Sequence, residues 1–143
     1  MRTIKGEQVM EEKAKILIVD DIHGNIHAIK LILEVLDVDF VEAMSGQAAI
    51  SACKETEFAL VLLDIQMPGM TGFEVATTLS ESPETSKLPI IFITAGLSGQ
   101  EYEIQGYSTG AIDYIEKPIQ NVILLSKVRF FLKLYHSQKC TEA

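Results

Sequence analysis

Apolar residues along this chain follow two alternating patterns. Short unbroken runs stand at Ile16–Val19, Ala59–Leu63 and Leu88–Ile93. Runs this short and this apolar suit strands buried on both faces of a parallel sheet. Between them, apolar residues return every three or four positions, which predicts helices. Asn25–Leu36 carries Ile26, Ile29, Leu33 and Leu36, and Gln47–Glu55 turns Ala49, Ile50 and Cys53 to one side. Phe73–Leu79 is a third helix, ended by Ser82-Pro83. Asp39–Met44 reads as a more polar strand stopped by Ser45-Gly46, and Ala111–Ile115 as a fifth strand. Gln100–Ser108 predicts a less regular fourth helix with Gly106 inside it, and Val122–Tyr135 a long last helix. Pro89 is tolerable near the start of its strand, where the first residue need not donate to the ladder.

Five strands alternating with five helices make a parallel sheet covered on both faces, with right-handed crossovers. The count fits an α/β, flavodoxin-like, doubly wound (βα)5 fold with a five-stranded sheet in the order 2-1-3-4-5. Strand one is then central, beside strand three. Residues 1–14 are polar and without clear period, so an N-terminal tail is expected there, one domain over 15–135 and a C-terminal tail over 136–143.

The strand ends bring in chemistry. Asp20 and Asp21 end the first strand, Asp64 the third, Thr94 the fourth, and Lys117 follows the fifth. The carboxyl edge is where open α/β sheets bind ligands. Taken singly, each residue has a plainer reading: a cap or turn for the acids, a turn residue for Thr94, a solvated surface lysine for Lys117. Jointly they are harder to explain that way, because each strand end contributes separately. Three carboxylates in one dry pocket repel one another, and a hard divalent cation relieves this. Mg²⁺ (or Mn²⁺) takes oxygen ligands. Asp21 and Asp64 could bind it directly, Asp20 directly or through water, and the backbone carbonyl of Gln66 could be another ligand. Lys117 offers a compact positive charge and Thr94 one hydroxyl hydrogen bond. This is equipment for moving a phosphoryl group onto a protein carboxylate with a divalent metal.

Charge and composition narrow the alternatives. The net charge is −8 and Lys plus Arg total 12, which argues against direct nucleic-acid binding. With 143 residues, 48% of them hydrophobic, one core is the simplest arrangement. Cys53 and Cys140 are unpatterned and suit a reducing compartment. The charged N-terminus lacks a continuous apolar stretch of the secretory kind, and no apolar run reaches the length of a membrane span. A cytoplasmic chain without a membrane partner is expected.

Four segments carry a resemblance. They are Val19-Asp20-Asp21, Leu63-Asp64-Ile65-Gln66-Met67-Pro68-Gly69-Met70-Thr71-Gly72, Ile93-Thr94-Ala95 and Gly110-Ala111-Ile112-Asp113-Tyr114-Ile115-Glu116-Lys117-Pro118. Together they resemble the receiver domain of bacterial two-component response regulators, over about residues 15–135. The resemblance implies a CheY-like form of the fold. It implies that Asp64 accepts a phosphoryl group from a sensor histidine kinase or a histidine phosphotransfer protein. Asp20 and Asp21 resemble the Mg²⁺-binding acidic pair, Thr94 the switch hydroxyl, Tyr114 the switch aromatic, and Lys117-Pro118 a cis peptide bond. Phosphorylation would draw Thr94 and Lys117 toward Asp64, let Tyr114 turn inward, and reshape the surface of the fourth helix, fifth strand and last helix. Without the resemblance, Tyr114 reads as a half-buried strand aromatic.

The same resemblance places Gln66 and Gly96 where water attacks the phosphoaspartate. Gly96 brings no side chain, so no unusually fast self-dephosphorylation is expected. The Gly-rich stretch 95–106 is about one residue longer than the commonest receiver spacing, which predicts a mobile loop. Asn25-Ile26 and the Gly110–Pro118 run are similar to receivers of hybrid sensor kinases and of regulators with cyclic-dinucleotide enzyme outputs. His23 and His27 are four apart with no third ligand, so they read as a helix face. On the last helix Leu124, Leu125, Val128, Phe131, Leu132 and Tyr135 suffice for sheet packing, while Ile123, Phe130 and Leu134 make a second stripe. That stripe predicts a homodimer contact or a junction to a following output domain.

Other readings fit less well. An aspartyl-phosphate phosphatase similar to haloacid dehalogenases would need a D-x-D motif on the first strand and a cap-sized insertion. A nucleotide-binding loop would need more glycine than Asp20–Asn25 supplies. A degenerate receiver that only binds partners would lack some of the key residue types, all of which are present.

Overall fold

The computed structural model describes residues 13–95 and 113–142. Five strands are seen: β1 (Lys15–Val19), β2 (Asp39–Ala43), β3 (Leu60–Asp64), β4 (Ile90–Thr94) and β5 (Asp113–Glu116). The described helices are α1 (His23–Leu33), α2 (Gly46–Glu55), α3 (Gly72–Ser80) and the C-terminal α4 (Asn121–Glu142). The strands form one sheet in the order β2-β1-β3-β4-β5, parallel throughout. This is the doubly wound order 2-1-3-4-5 expected from the strand–helix alternation. The helix expected over Gln100–Ser108, the loop beginning at Gly96, and the first residues of the expected fifth strand lie outside the described residues.

Side-chain alternation divides the core in two. Leu17, Val19, Val61, Leu63 and Phe92 pack with the inner faces of α2 and α3. Ile16, Ile18, Leu60, Leu62, Ile91 and Ile93 pack with α1 and α4. β3 is buried at every position, which is why its sequence is continuously apolar up to Asp64. Phe73 and Phe92 meet edge to face, with ring centroids 5.0 Å apart, in the first of these clusters. Cys53 lies in that cluster, and burial pushes its thiol up to about 11.

Element ends differ from expectation by one to three residues for identifiable reasons. α2 starts at Gly46 because Ser45 caps it, its hydroxyl accepting from the Ala48 N–H at 3.1 Å. α3 starts at Gly72 through a reciprocal capping box. The Glu74 N–H donates to Thr71 Oγ1 at 3.2 Å, and the Thr71 N–H donates to Glu74 Oε1 at 2.8 Å. α1 ends at Leu33, where the Leu36 N–H tightens onto the Leu33 carbonyl at 2.9 Å.

The largest difference is α4. Its helix continues past Tyr135 to Glu142, through the stretch expected as a tail. Tyr135 donates its hydroxyl to Glu57 Oε2 at 2.6 Å, tying this end of the helix to the loop before β3. Leu124, Val128, Phe131 and Leu132 are buried, as the apolar face requires, while Phe130 is 57% exposed with Ile123 and Leu134 also exposed. Among the described residues no helix is long and apolar enough to cross a membrane.

Candidate functional site

The parallel register levels the carboxyl ends of the strands. Val19 pairs with Leu63, Asp64 with Ile93, and Thr94 with Glu116. Residues just past these positions therefore share one edge. Asp20, Asp21 and Asp64 each present a carboxylate oxygen there, all within 4.8 Å of one another. Lys117 Nζ reaches into the same group, 3.8 Å from Asp20 Oδ2 and 3.9 Å from Asp64 Oδ1. Those distances are too long for hydrogen bonds, so the ammonium acts on both carboxylates by charge.

The three acids differ in setting. Asp20 is only 2% exposed, Asp64 is buried and Asp21 is partly exposed. Burial pushes the Asp64 carboxyl up to about 6 from 3.8, with the neighbouring Asp20 charge adding to the rise. Lys117 and the Gln66 backbone N–H act the other way, and Asp21 adds a small further rise. Such an elevation is what crowding of buried carboxylates produces before a counter-charge arrives. Gln66 stands in the loop after β3 with its side chain exposed.

The local backbone explains how Asp64 is held. Gly72 approaches the end of β3 so closely that a Cβ there would lie 2.5 Å from the Asp64 carbonyl oxygen and 2.9 Å from Ile65 Cα. Its N–H donates to the Ile65 carbonyl at 2.9 Å. Gly69 takes φ +82°, a turn that favours glycine. The loop thus folds back over the strand end and starts α3 against it.

Thr94 ends β4, 4% exposed, and its Oγ1 is the buried side-chain oxygen without a hydrogen-bond partner among the described residues. A buried hydroxyl left unpaired costs free energy, so it marks a place where a polar ligand fits. Phe92, Thr94 and Tyr114 lie on one side of the sheet, since Phe92 and Tyr114 are register partners and Thr94 is two residues along. Tyr114 is half-buried and packs against the α2–α3 core. The Lys117–Pro118 peptide bond is cis.

The histidines do not join the cluster. His23 Nε2 lies 3.3 Å from Glu42 Oε1, and Lys30 Nζ holds Glu42 Oε2 at 2.7 Å. The hydrogen bond from Lys30 is the main reason the Glu42 carboxyl sits below its usual range. His27 is exposed. One residue that the sequence did not assign to the site is present: Asn25 places its side-chain amide on both oxygens of Asp20, at 3.3 and 3.2 Å. Its signals in the sequence were its place just after two acids and the likeness that Asn25-Ile26 carries, neither of which names a contact with Asp20.

The donor set suits a hard divalent cation. It is all oxygen, anionic, and clustered beside an ammonium, with the unpaired Thr94 hydroxyl at the end of the neighbouring strand. Comparison with known proteins identifies the family. The response regulator receiver domain model matches residues 16–129. The chain is 39% identical over 116 residues to the response regulator PleD of Caulobacter vibrioides, covering 81% of this chain and 25% of that protein. It is 37% identical over 133 residues to the transcriptional regulatory protein YvrH of Bacillus subtilis, covering 92% of this chain and 54% of that protein. The chain thus spans about a quarter to about half the length of these relatives.

Among solved structures, a CheY-like receiver domain protein of Methanospirillum hungatei is similar with TM-score 0.80 and 27% identity, over 89% of this chain and 99% of that one. The receiver domain of a signal transduction histidine kinase from Syntrophus aciditrophicus is similar with TM-score 0.77 and 30% identity, over 84% and 90%. Fold, carboxyl-edge acids and family match coincide on one stretch of sequence, and the chain belongs to the receiver domain family of two-component response regulators.

Proposed function

We propose that this receiver accepts a phosphoryl group on Asp64 from a sensor histidine kinase or histidine phosphotransfer protein, in a reaction that needs Mg²⁺ or Mn²⁺. The observation that carries the reading is the convergence of three carboxylates, the Lys117 ammonium and the unpaired Thr94 hydroxyl at one sheet edge. Asp20, Asp21 and Asp64, with the Gln66 backbone carbonyl, would hold the cation, which when bound neutralises charge on the phosphoryl oxygens.

Asp64 is the nucleophile. One of its carboxylate oxygens forms the new bond to phosphorus as the bond from phosphorus to the donor's histidine nitrogen breaks. The departing imidazole keeps the bonding electrons and gains a proton from solvent. With its carboxyl at about 6, Asp64 is mostly ionised at neutral pH. Lys117 stands 3.9 Å from Asp64 Oδ1, within reach to neutralise a phosphoryl oxygen placed there. Thr94 Oγ1 has a hydrogen bond free to give it. When Thr94 moves to do so, it opens space on the face it shares with Phe92 and Tyr114, and Tyr114 turns inward. The population shifts between two arrangements because the phosphoryl group contacts one better than the other.

The readout surface includes β5 and α4. The exposed stripe of Ile123, Phe130 and Leu134 would meet a second copy or an output domain. Under this reading the chain acts in the cytoplasm and catalyses only its own aspartyl phosphorylation and dephosphorylation.

The test is incubation with acetyl phosphate and Mg²⁺, or with beryllofluoride, followed by intact mass or NMR. Wild type gains a labile adduct and Asp64→Asn does not. A wild type without an adduct, or a mutant that keeps it, overturns the assignment.

A further inference from the structure

Asp20 is the most enclosed of the three carboxylates, and both its oxygens are engaged. Oδ1 accepts from the Ile22 backbone N–H at 2.9 Å and from Asn25 Nδ2 at 3.3 Å. Oδ2 accepts from Asn25 Nδ2 at 3.2 Å and faces Lys117 Nζ at 3.8 Å. An ionised carboxylate only accepts, so the end of the Asn25 amide turned toward it is the NH₂. We propose that Asn25 is a positioning residue for the divalent-cation site, acting through Asp20. The inference rests on the reading that the acidic cluster holds Mg²⁺.

The argument is about the plane of the carboxylate. Rotation of an aspartate carboxyl about its last torsion is broad and weakly restrained. The Ile22 N–H restrains one oxygen and leaves the plane free to swing around it. An amide that straddles both oxygens removes that freedom. Its distances are longer than those of strong charge-assisted hydrogen bonds, so it orients the carboxylate more than it neutralises it. Oδ2 then stays turned toward Lys117 and the space shared with Asp64.

Local structure makes this role available. Ile22, the residue that caps α1, has no side-chain acceptor, and its own N–H is held by the Asp20 carboxylate two residues upstream. The same carboxylate therefore anchors the start of α1 and faces the acidic cluster. Asn25, in the first turn of α1, holds the helix end and that carboxylate in one arrangement. Groups that orient a metal ligand from behind tune affinity by roughly 10–100-fold.

The experiment measures Mg²⁺ binding by calorimetry on wild type, Asn25→Ala and Asn25→Ser, and the rate of phosphorylation by acetyl phosphate against Mg²⁺ concentration. The serine side chain is too short to span both oxygens, so it carries the same expectation should Asn25→Ala fail to fold. The dissociation constant for Mg²⁺ is expected to rise about tenfold in the variants. The rate at saturating Mg²⁺ is expected to stay within about threefold of wild type, since the nucleophile is untouched. Variants that bind Mg²⁺ like wild type, or that lose saturated rate in step with affinity, overturn the role of Asn25. A wild type that binds no Mg²⁺ overturns the metal reading itself.

Discussion

The backbone N–H of Lys117 donates to the carbonyl oxygen of Thr94 at 2.7 Å. This bond continues the β4–β5 ladder one step past Glu116, at the carboxyl edge. The residue whose ammonium faces the acidic cluster and the residue with the unpaired hydroxyl are therefore joined through their main chains. A ligand that pulls one of them acts on the other through one short, buried connection. Of the two, Lys117 already has carboxylates to face, while Thr94 Oγ1 has no partner.

Thr94→Val tests that difference. Valine fills nearly the same volume and removes the unpaired hydroxyl. Relief of a buried unsatisfied polar group is worth about 1 kcal/mol or more. The variant should thus unfold at higher urea than wild type when no ligand is present. Its gain in stability on adding beryllofluoride should be smaller than that of wild type. A variant less stable than wild type would mean that the hydroxyl is already satisfied.

Asp64→Asn should stabilise the metal-free protein at neutral pH. The folded carboxyl, at about 6, lies above its ordinary 3.8. Folding therefore favours the protonated form, and the advantage is fully present below about pH 4 and lost as pH rises through 6. Above that range wild type bears a buried charge that the amide lacks, worth about 1–3 kcal/mol. Urea unfolding of both proteins between pH 4 and pH 8 should show the curves converge at the acid end. Equal stability at pH 8 would contradict the elevated carboxyl.

Much of this arrangement was legible in the sequence, for a physical reason. A strand buried on both faces must be continuously apolar, so Ile16–Val19 and Ala59–Leu63 announce themselves, and polar residues at their ends stand out. Where expectation slipped, the cause was an interaction outside the local pattern. Asp64 pairs with Ile93 and so belongs to β3, which shifts that strand by one residue. α1 begins at His23, with the N–H of the capping Ile22 held by the Asp20 carboxylate. α4 reaches Glu142, and Tyr135 bonds Glu57 across 78 residues of sequence. The Asn25 contact was invisible for the same reason, since nothing in an amphipathic helix says which carboxylate its asparagine will meet.

Mg²⁺ should raise the thermal midpoint of wild type, because a ligand that binds only the folded state stabilises it by mass action. The rise should be largest where the carboxylates are ionised, and it should shrink as pH falls below about 6, where Asp64 takes up its proton. Asp21→Asn removes the partly exposed acid of the cluster while leaving the buried pair and Lys117 in place. It should therefore fold like wild type and lose most of the Mg²⁺-dependent rise. A thermal scan with and without Mg²⁺ checks both statements. An undiminished rise in Asp21→Asn would remove that residue from the site.

Gly72→Ala should be costly although the change is a single methyl group. The added carbon would stand 2.5 Å from the Asp64 carbonyl oxygen and 2.9 Å from Ile65 Cα, both main-chain atoms that cannot swing aside. Relief requires moving the start of α3 away from the end of β3, which breaks the bond from the Gly72 N–H to the Ile65 carbonyl. Overpacking of this kind destabilises by about 1–3 kcal/mol. The displacement falls on Asp64 itself, so phosphorylation by acetyl phosphate should slow even at temperatures where the variant is fully folded. Gly24→Ala serves as the comparison, since nothing lies within 4 Å of a Cβ there. If Gly72→Ala matched Gly24→Ala in both unfolding and rate, the close approach of helix and strand would not be what holds Asp64 in place.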